Sequence, residues 1–425
     1  MITKKLSDIS IRISSGLTPL RTNPEFWENG SIPWLKTEQL GEKYIYDANE
    51  YISVAAVTKT SIKIFPENTL SIAMYGEGKT RGNLSIIKKP MATNQACCNV
   101  EIDSSKADYE YVYYFLKTQY DELRNLSSGI RKNLNSNDIK NYPIRLPRTK
   151  DEQTKIASVL KSIDAKIELN NRINAELEAM AKTLYDYWFV QFDFPFDFVQ
   201  GKPDANGKPY KTSGGKMVYN PTLKREIPEG WTDGTLEGLG QIVGGSTPTT
   251  TEADNFCKNG TPWITPNDLS DNQGKKFITR GATDVSEAGI KSASLKKYPK
   301  GTVLLSSRAP IGYMAIARNE LTTNQGFKSF VPNKGYSSAF IYYTVNNSLK
   351  AITQYASGST FKEVSASVLK TIKIALPPKN ISEKYTAAVS DTFARQDVLE
   401  KENEKLAALR DWLLPMLMNG QISVK

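Results

Sequence analysis

The 425-residue sequence contains no histidine. That absence excludes a Ser-His-Asp triad, a Cys-His pair, His-ligated zinc and an imidazole general base, and with them most common hydrolase chemistries. Cysteine is scarce as well. Cys97 and Cys98 are adjacent and Cys257 is remote, so they form neither a CxxC motif nor a disulfide framework and read as ordinary reduced thiols. No window approaches the ~20 unbroken apolar residues of a membrane span. No apolar core of signal-peptide length follows Lys4 and Lys5, so a cytoplasmic protein with no membrane partner is expected.

What is present begins with length and charge. The chain has room for roughly two or three domains at ~150 residues each. Its net charge of +10 is unevenly spread: +5 over residues 1–150, −4 over 151–199, +9 over 200–378 and zero over 379–425. Two basic blocks separated by acidic or neutral stretches point to two places that meet a polyanion.

Between the blocks, residues 151–188 read as one long helix. Ile156, Leu160, Ile163 and Ile167, then Leu177, Ala181, Leu184 and Trp188, step by four and three along a coiled-coil seam. Asn170 and Asn174 occupy two steps of the same seam, and no glycine or proline interrupts it. At ~1.5 Å per residue such a helix is about 58 Å long, more than a small domain needs, and reads as a spacer. A second seam closes the chain through Val389, Phe393, Leu399, Asn403, Leu406, Leu413 and Leu417, with Pro415 expected to kink or end it.

The second half restates the first at an offset of 229 or 230 residues. Gly16-Leu17-Thr18-Pro19 recurs as Gly245-Ser246-Thr247-Pro248, and Ile32-Pro33-Trp34-Leu35 as Thr261-Pro262-Trp263-Ile264. Thr93-Asn94-Gln95 returns as Thr323-Asn324-Gln325, Ser128-Gly129 as Ser357-Gly358, and Leu146-Pro147 as Leu376-Pro377. Each copy starts with β-like runs, at 61–65, 70–74 and 84–88 in the first and at 276–279, 302–306 and 313–317 in the second. A helical stretch follows, at 108–125 and 337–355. The expected order is a mixed α/β domain over 1–150, a spacer helix over 151–190, a connecting loop over 191–231, a second domain over 232–378 and a closing helix over 379–425. Phe192, Phe194, Phe196 and Phe198 alternate in the connecting loop, which suggests that it packs on something.

This layout, with Ile227-Pro228-Glu229-Gly230-Trp231, the run FDFPFDF before GKPYKTSGGKMVYN, and LRDWLLPMLMNGQI at 409–422, resembles the specificity subunit of type I restriction-modification systems over essentially the whole chain. The resemblance implies an α+β protein in which two similar target-recognition domains stand in tandem, separated by two long helices that form an antiparallel coiled coil. Each domain would read one half of a bipartite, asymmetric site on double-stranded DNA. The helices would set the spacing and dock two methyltransferase subunits, with restriction subunits joining in the full complex. The chain would be non-catalytic and hold no metal or cofactor, since S-adenosylmethionine, ATP and magnesium would belong to its partners.

Two other readings compete. Ala73 to Thr80 satisfies a relaxed phosphate-loop pattern, but the residues after Lys79-Thr80 read as turn then strand where phosphate binding needs a helix N-terminus. The repeat partner, Ser306 to Gly312, lacks the pattern. A coiled-coil adaptor without DNA affinity is the second alternative. Catalysis by the chain itself finds little support: Asn23-Pro24-Glu25-Phe26 has the wrong third residue for an adenine-methylating motif, and Pro203-Asp204 lacks a Glu-x-Lys partner for a nuclease.

Side chains that discriminate bases in the major groove are chiefly Arg, Lys, Asn and Gln, whereas other contacts anchor phosphates. The candidates are Lys36, Thr37, Tyr75, Lys79, Arg81, Asn94, Arg131 and Lys132 in the first copy, and Thr265, Asn267, Arg308, Asn324, Gln325, Thr360 and Lys362 in the second. The repeated Asn-Gln pairs equally fit a role in shaping a loop. Positions that differ between copies, such as Tyr75 against Arg308, are the better choices for sequence discrimination. In the helices, Asn174 and Asn403 lie 229 apart near mid-helix and are expected to face each other, with Asn170 beside them, as a polar layer that fixes register.

Overall fold

The apolar runs of the first copy pair into a five-stranded sheet in the order Ser10–Ser15, Cys97–Ile102, Leu70–Ala73, Leu84–Ile87, Tyr44–Ile45. Only the last pair is parallel. Beside it lies a small sheet of Glu50–Ile52, Ile32–Leu35 and Ala92–Thr93. The second copy repeats the larger sheet as Gln241–Val243, Ser329–Val331, Val303–Leu305, Met314–Ala317, Phe277–Ile278, again with a parallel edge pair. Its small sheet gains one strand, Phe256–Cys257, ahead of Thr283–Val285, Thr261–Ile264 and Thr322–Thr323. The computed structural model describes residues 1–76, 80–126, 134–308, 310–355 and 363–424. They form two compact units, one of residues 1–167 with 405–425 and the other of 168–404.

Each large sheet buries one face under a helix. In the first unit Leu70, Ile72, Leu84, Ile86 and Val100 pack with Tyr111, Val112 and Phe115 of the helix Tyr109–Thr118. Asp108 caps that helix by accepting from the amides of Glu110 and Tyr111. In the second unit Val303, Leu305, Ile316 and Phe330 meet Phe340 and Ile341 of the helix Ser338–Asn347, capped by Ser337. The expected strand over 61–65 does not form. Ile62 and Phe65 are drawn into different buried clusters, and only Phe65 bridges to Met91.

The two long helices span Lys150–Tyr185 and Lys379–Met418. In the first unit Ile156 and Leu160 share a core with Leu417 and Met418. In the second, Ala181 and Tyr185 share one with Tyr385 and Val389. The helices run antiparallel within each unit: Asp164 meets Arg410 in the first, and Asn170 meets Asn403 in the second while Asn174 meets Gln396. The closing helix passes through Pro415, which lacks an N–H, and stops at Met418, where the Asn419 amide bonds to the Pro415 carbonyl.

The segment over 191–231, expected to be a connecting loop packed on something through its phenylalanines, is itself folded into short strands. Pro195–Asp197 pairs with both Lys202–Pro203 and Lys208–Pro209, and Met217–Asn220 forms a hairpin with Arg225–Pro228. The alternating phenylalanines are the reason. Phe194 stacks on Tyr210 at 4.7 Å between ring centroids, and Phe192 meets Trp231 edge-on at 5.2 Å.

Candidate nucleic-acid interface

In each unit the strand ends of both sheets deliver the candidate residues to one edge, held by backbone bonds between loops. In the first unit the Asn94 amide bonds to the Leu35 carbonyl, beside Lys36 and Thr37, and the Met74 amide bonds to the Ala96 carbonyl, beside Tyr75. The second unit repeats this. The Asn324 amide reaches the Ile264 carbonyl, next to Thr265, and the Ser307 amide reaches the Gly326 carbonyl, next to Arg308. Lys36, Thr37, Tyr75, Arg81 and Asn94 therefore belong to one group of loops, and Thr265, Asn267, Arg308, Asn324 and Gln325 to another. Lys79, Arg131, Lys132, Thr360 and Lys362 lie outside the described residues.

The repeated Asn-Gln turns carry their own architecture. Asn94 Oδ1 accepts from the Ala96 amide at 3.2 Å and Asn324 Oδ1 from the Gly326 amide at 2.9 Å. The Thr18 hydroxyl bonds to Gln95, and the Thr247 hydroxyl to Gln325. A Cβ on Gly16 would fall 2.1 Å from the Thr93 carbonyl oxygen, and one on Gly245 would fall 1.9 Å from that of Thr323, so only glycine allows the turns to close this tightly.

Other candidates differ in what surrounds them. Lys36 is held by Glu38 at 2.7 Å and Glu50 at 2.6 Å, which raise its pKa above the ordinary lysine value. Tyr75 and Gln325 are exposed. Thr265 caps the helix Pro266–Asp271, donating its hydroxyl to Asp268 at 2.6 Å, while Asn267 stands exposed in the first turn. Arg308 lies 3.7 Å from Glu363. After Thr80 the chain turns, the Asn83 amide bonding to the Thr80 carbonyl, and enters the strand Leu84–Ile87. The helix that a phosphate loop requires does not follow.

One cation at this edge is absent from the candidates read from the sequence. Arg21 stacks 3.8 Å over Trp27, lies 4.7 Å from Trp34, and binds Glu50 at 2.5 Å, the carboxylate that also holds Lys36. Both cations pull the Glu50 carboxyl below its ordinary value, Arg21 foremost. The sequence shows only that the 229-residue offset sets Arg21 against an uncharged Thr250.

Each unit also fastens its sheet to the helices through a lysine just before the parallel edge strand. Lys43 reaches Tyr114 at 2.6 Å, Glu110 at 2.8 Å and Asp164 at 3.5 Å. Lys276 reaches Glu178 at 2.5 Å and both Tyr343 and Gln396 at 2.8 Å. Burial lowers the Lys276 pKa against the pull of Glu178. Arg318 adds Asp397, Glu400 and Glu404 at 2.6–2.8 Å.

The polar layer in the helices is real but its register differs from the expected pairing of Asn174 with Asn403. Asn403 is met by Asn170, whose Nδ2 donates to its Oδ1 at 2.9 Å, and itself donates to Asn171 at 2.8 Å. Asn174 lies a turn away, its carbonyl accepting from Gln396 at 3.3 Å.

Among the described residues no helix is long and apolar enough to cross a membrane. The signature of the type I restriction modification DNA specificity domain matches residues 2–179 and 228–408. The chain is 40% identical over 185 residues to the specificity subunit of the type I restriction enzyme MjaIX of Methanocaldococcus jannaschii, a match spanning 43% of this chain and 42% of that one. It is 27% identical over 336 residues to the HindI specificity subunit of Haemophilus influenzae, covering 69% and 72%. A crystal structure of the S subunit of a type I restriction-modification system from M. genitalium shares the fold, with a TM-score of 0.57 over 98% of this chain and 95% of that one at 16% identity. The chain belongs to the type I restriction modification DNA specificity domain family.

Proposed function

We propose that this chain is a non-catalytic DNA-reading subunit, in which each unit contacts one half of a split site through its loop edge. The observation that carries this reading is the double construction of that edge. The same backbone bonds hold the loops in both copies, while the side chains presented there differ, an exposed Tyr75 in one and a half-buried Arg308 in the other. A shared frame with unlike faces suits two different half-sites.

The long helices act in this reading as spacer and dock. Exposed apolar side chains recur along them at the repeat offset: Leu169 with Val398, and Met180 with Leu409. Two equivalent apolar stripes suit two copies of one partner, and methyltransferase subunits are the partners proposed, with restriction subunits added in the full enzyme. S-adenosylmethionine, ATP and magnesium are assigned to those partners. The chain would act in the cytoplasm, where the DNA is.

Mapping methylated adenines genome-wide in cells with and without the gene tests the function. Loss of modification confined to one split motif is expected, and an unchanged map overturns the reading. Inserting one helical turn between Ile163 and Leu177 should change the spacer between half-sites and leave their bases intact.

A further inference from the structure

The turn that opens each copy is built on the same backbone and carries different faces. In the first unit the Leu17 carbonyl accepts from Trp34 Nε1 at 3.1 Å, and the Leu20 carbonyl from Trp27 Nε1 at 3.1 Å. In the second, the Ser246 carbonyl accepts from Trp263 Nε1 at 3.0 Å, and the Thr249 carbonyl from Asn255 Nδ2 at 3.0 Å. Pro19 and Pro248 are buried beneath, and Leu20 and Thr249 point outward from the same place. The turn is joined to the candidate edge directly, because the Leu17 amide bonds to the Thr93 carbonyl and the Thr18 hydroxyl to Gln95.

The turn presents an apolar tip beside a braced cation. Leu20 is 64% exposed, and Leu17 is exposed beside it. Next to Leu20, Arg21 is pre-positioned by two indole rings and by Glu50, with half of its side chain in solvent. The second copy places Thr249 and Thr250 at these positions, so it offers neither the apolar tip nor the charge.

Resting on the DNA-reading function above, we propose that the turn at 16–23 is a further reading element of the first unit. Leu20 packs against the C5-methyl group of a thymine in the major groove, and Arg21 holds the neighbouring phosphate. An apolar side chain has one distinctive target among base edges, the thymine methyl, which a hydrogen bond cannot read. A guanidinium braced on aromatic rings loses little freedom when it meets a phosphate oxygen. The second unit reads its half-site without this element.

The test uses the full chain assembled with its methyltransferase subunits, acting on duplexes in which each thymine of the site is replaced in turn by deoxyuridine, which lacks only the methyl group. Wild type should lose about fourfold in methylation rate at one thymine of one half-site, the worth of one buried methyl. Leu20→Ser, which leaves no methyl group at the tip of the turn, should be indifferent to that exchange and unchanged at the other half-site. Arg21→Thr should lower the slope of log affinity against log salt by about 0.9, one phosphate contact, with base preferences kept. Wild type indifferent to every such exchange, or Leu20→Ser retaining the full methyl dependence, overturns the proposal. A wild-type enzyme with no split-site preference at all would instead overturn the DNA-reading function itself.

Discussion

The two units fasten their sheets to the long helices in the same way and with unequal burial. In the first, the Lys43 side chain is 12% exposed and Arg410, on the far side of Asp164, is 32% exposed. In the second, Lys276 is 2% exposed, Arg318 6% and Glu400 3%, and the Glu400 carboxylate also accepts from the amides of Lys276 and Phe277 at 2.7 and 3.2 Å. In the second copy the two cations and Glu400 are more deeply buried than Lys43 and Arg410, although Glu178 and Glu404 at the margin of the cluster reach solvent. Removing a deeply buried member strands its partners, whereas solvent substitutes more readily around an exposed one.

The largest effect is therefore expected from Glu400→Leu, which leaves Arg318 short of one carboxylate and two strand amides unpaired. Hydrogen exchange at Phe277–Ile278 and Met314–Ala317 should report a local loss of ~3–5 kcal/mol. Lys43→Met in the first unit should cost less, ~1–3 kcal/mol at Tyr44–Ile45, because Tyr44 still satisfies Glu110. Equal losses in the two units would break the comparison. Smaller again, the double change Asn170→Leu and Asn403→Leu should leave stability unchanged or raise it by about 1 kcal/mol, since a buried polar layer is costly to keep dry. Disulfide trapping of cysteines placed along the two helices should then capture more than one register, and a single unchanged register would show that the asparagines do not set it.

The subtlest prediction turns on opposite signs. Burial raises the Glu400 pKa above its ordinary 4.5, with Lys276, Phe277 and Arg318 opposing. Its protonated form is favoured in the folded unit, so this contribution is fully present below 4.5 and is lost as pH rises through the raised value. Arg21 and Lys36 lower the Glu50 pKa, so its contribution is present above 4.5 and is lost as pH falls through the lowered value. Glu400→Gln and Glu50→Gln should each abolish one pH dependence, on opposite sides of pH 4.5, in denaturation of the full chain.

Much of this was legible in the sequence. The repeat gave two domains with one topology because Gly16, Trp34 and Asn94, with their partners 229 or 230 residues on, are each tied to a bond that shapes a loop. The helices followed from apolar steps of four and three broken by asparagines. What escaped was set by relations between distant residues. The pairing of Asn403 with Asn170 and Asn171 depends on how the helices pack within the second unit, and the strands over 191–231 depend on aromatic rings finding one another. Arg21 escaped because its two tryptophans and Glu50 come together only in three dimensions.

The carbonyls of Leu20 and Thr249 are held through the main chain, so the shape of the turn does not depend on which side chain it displays. Exposed substitutions of this kind usually change stability by no more than about 0.5 kcal/mol. Such a turn can be re-faced repeatedly during evolution with the fold intact, and a lineage under pressure to change its target could do so one residue at a time.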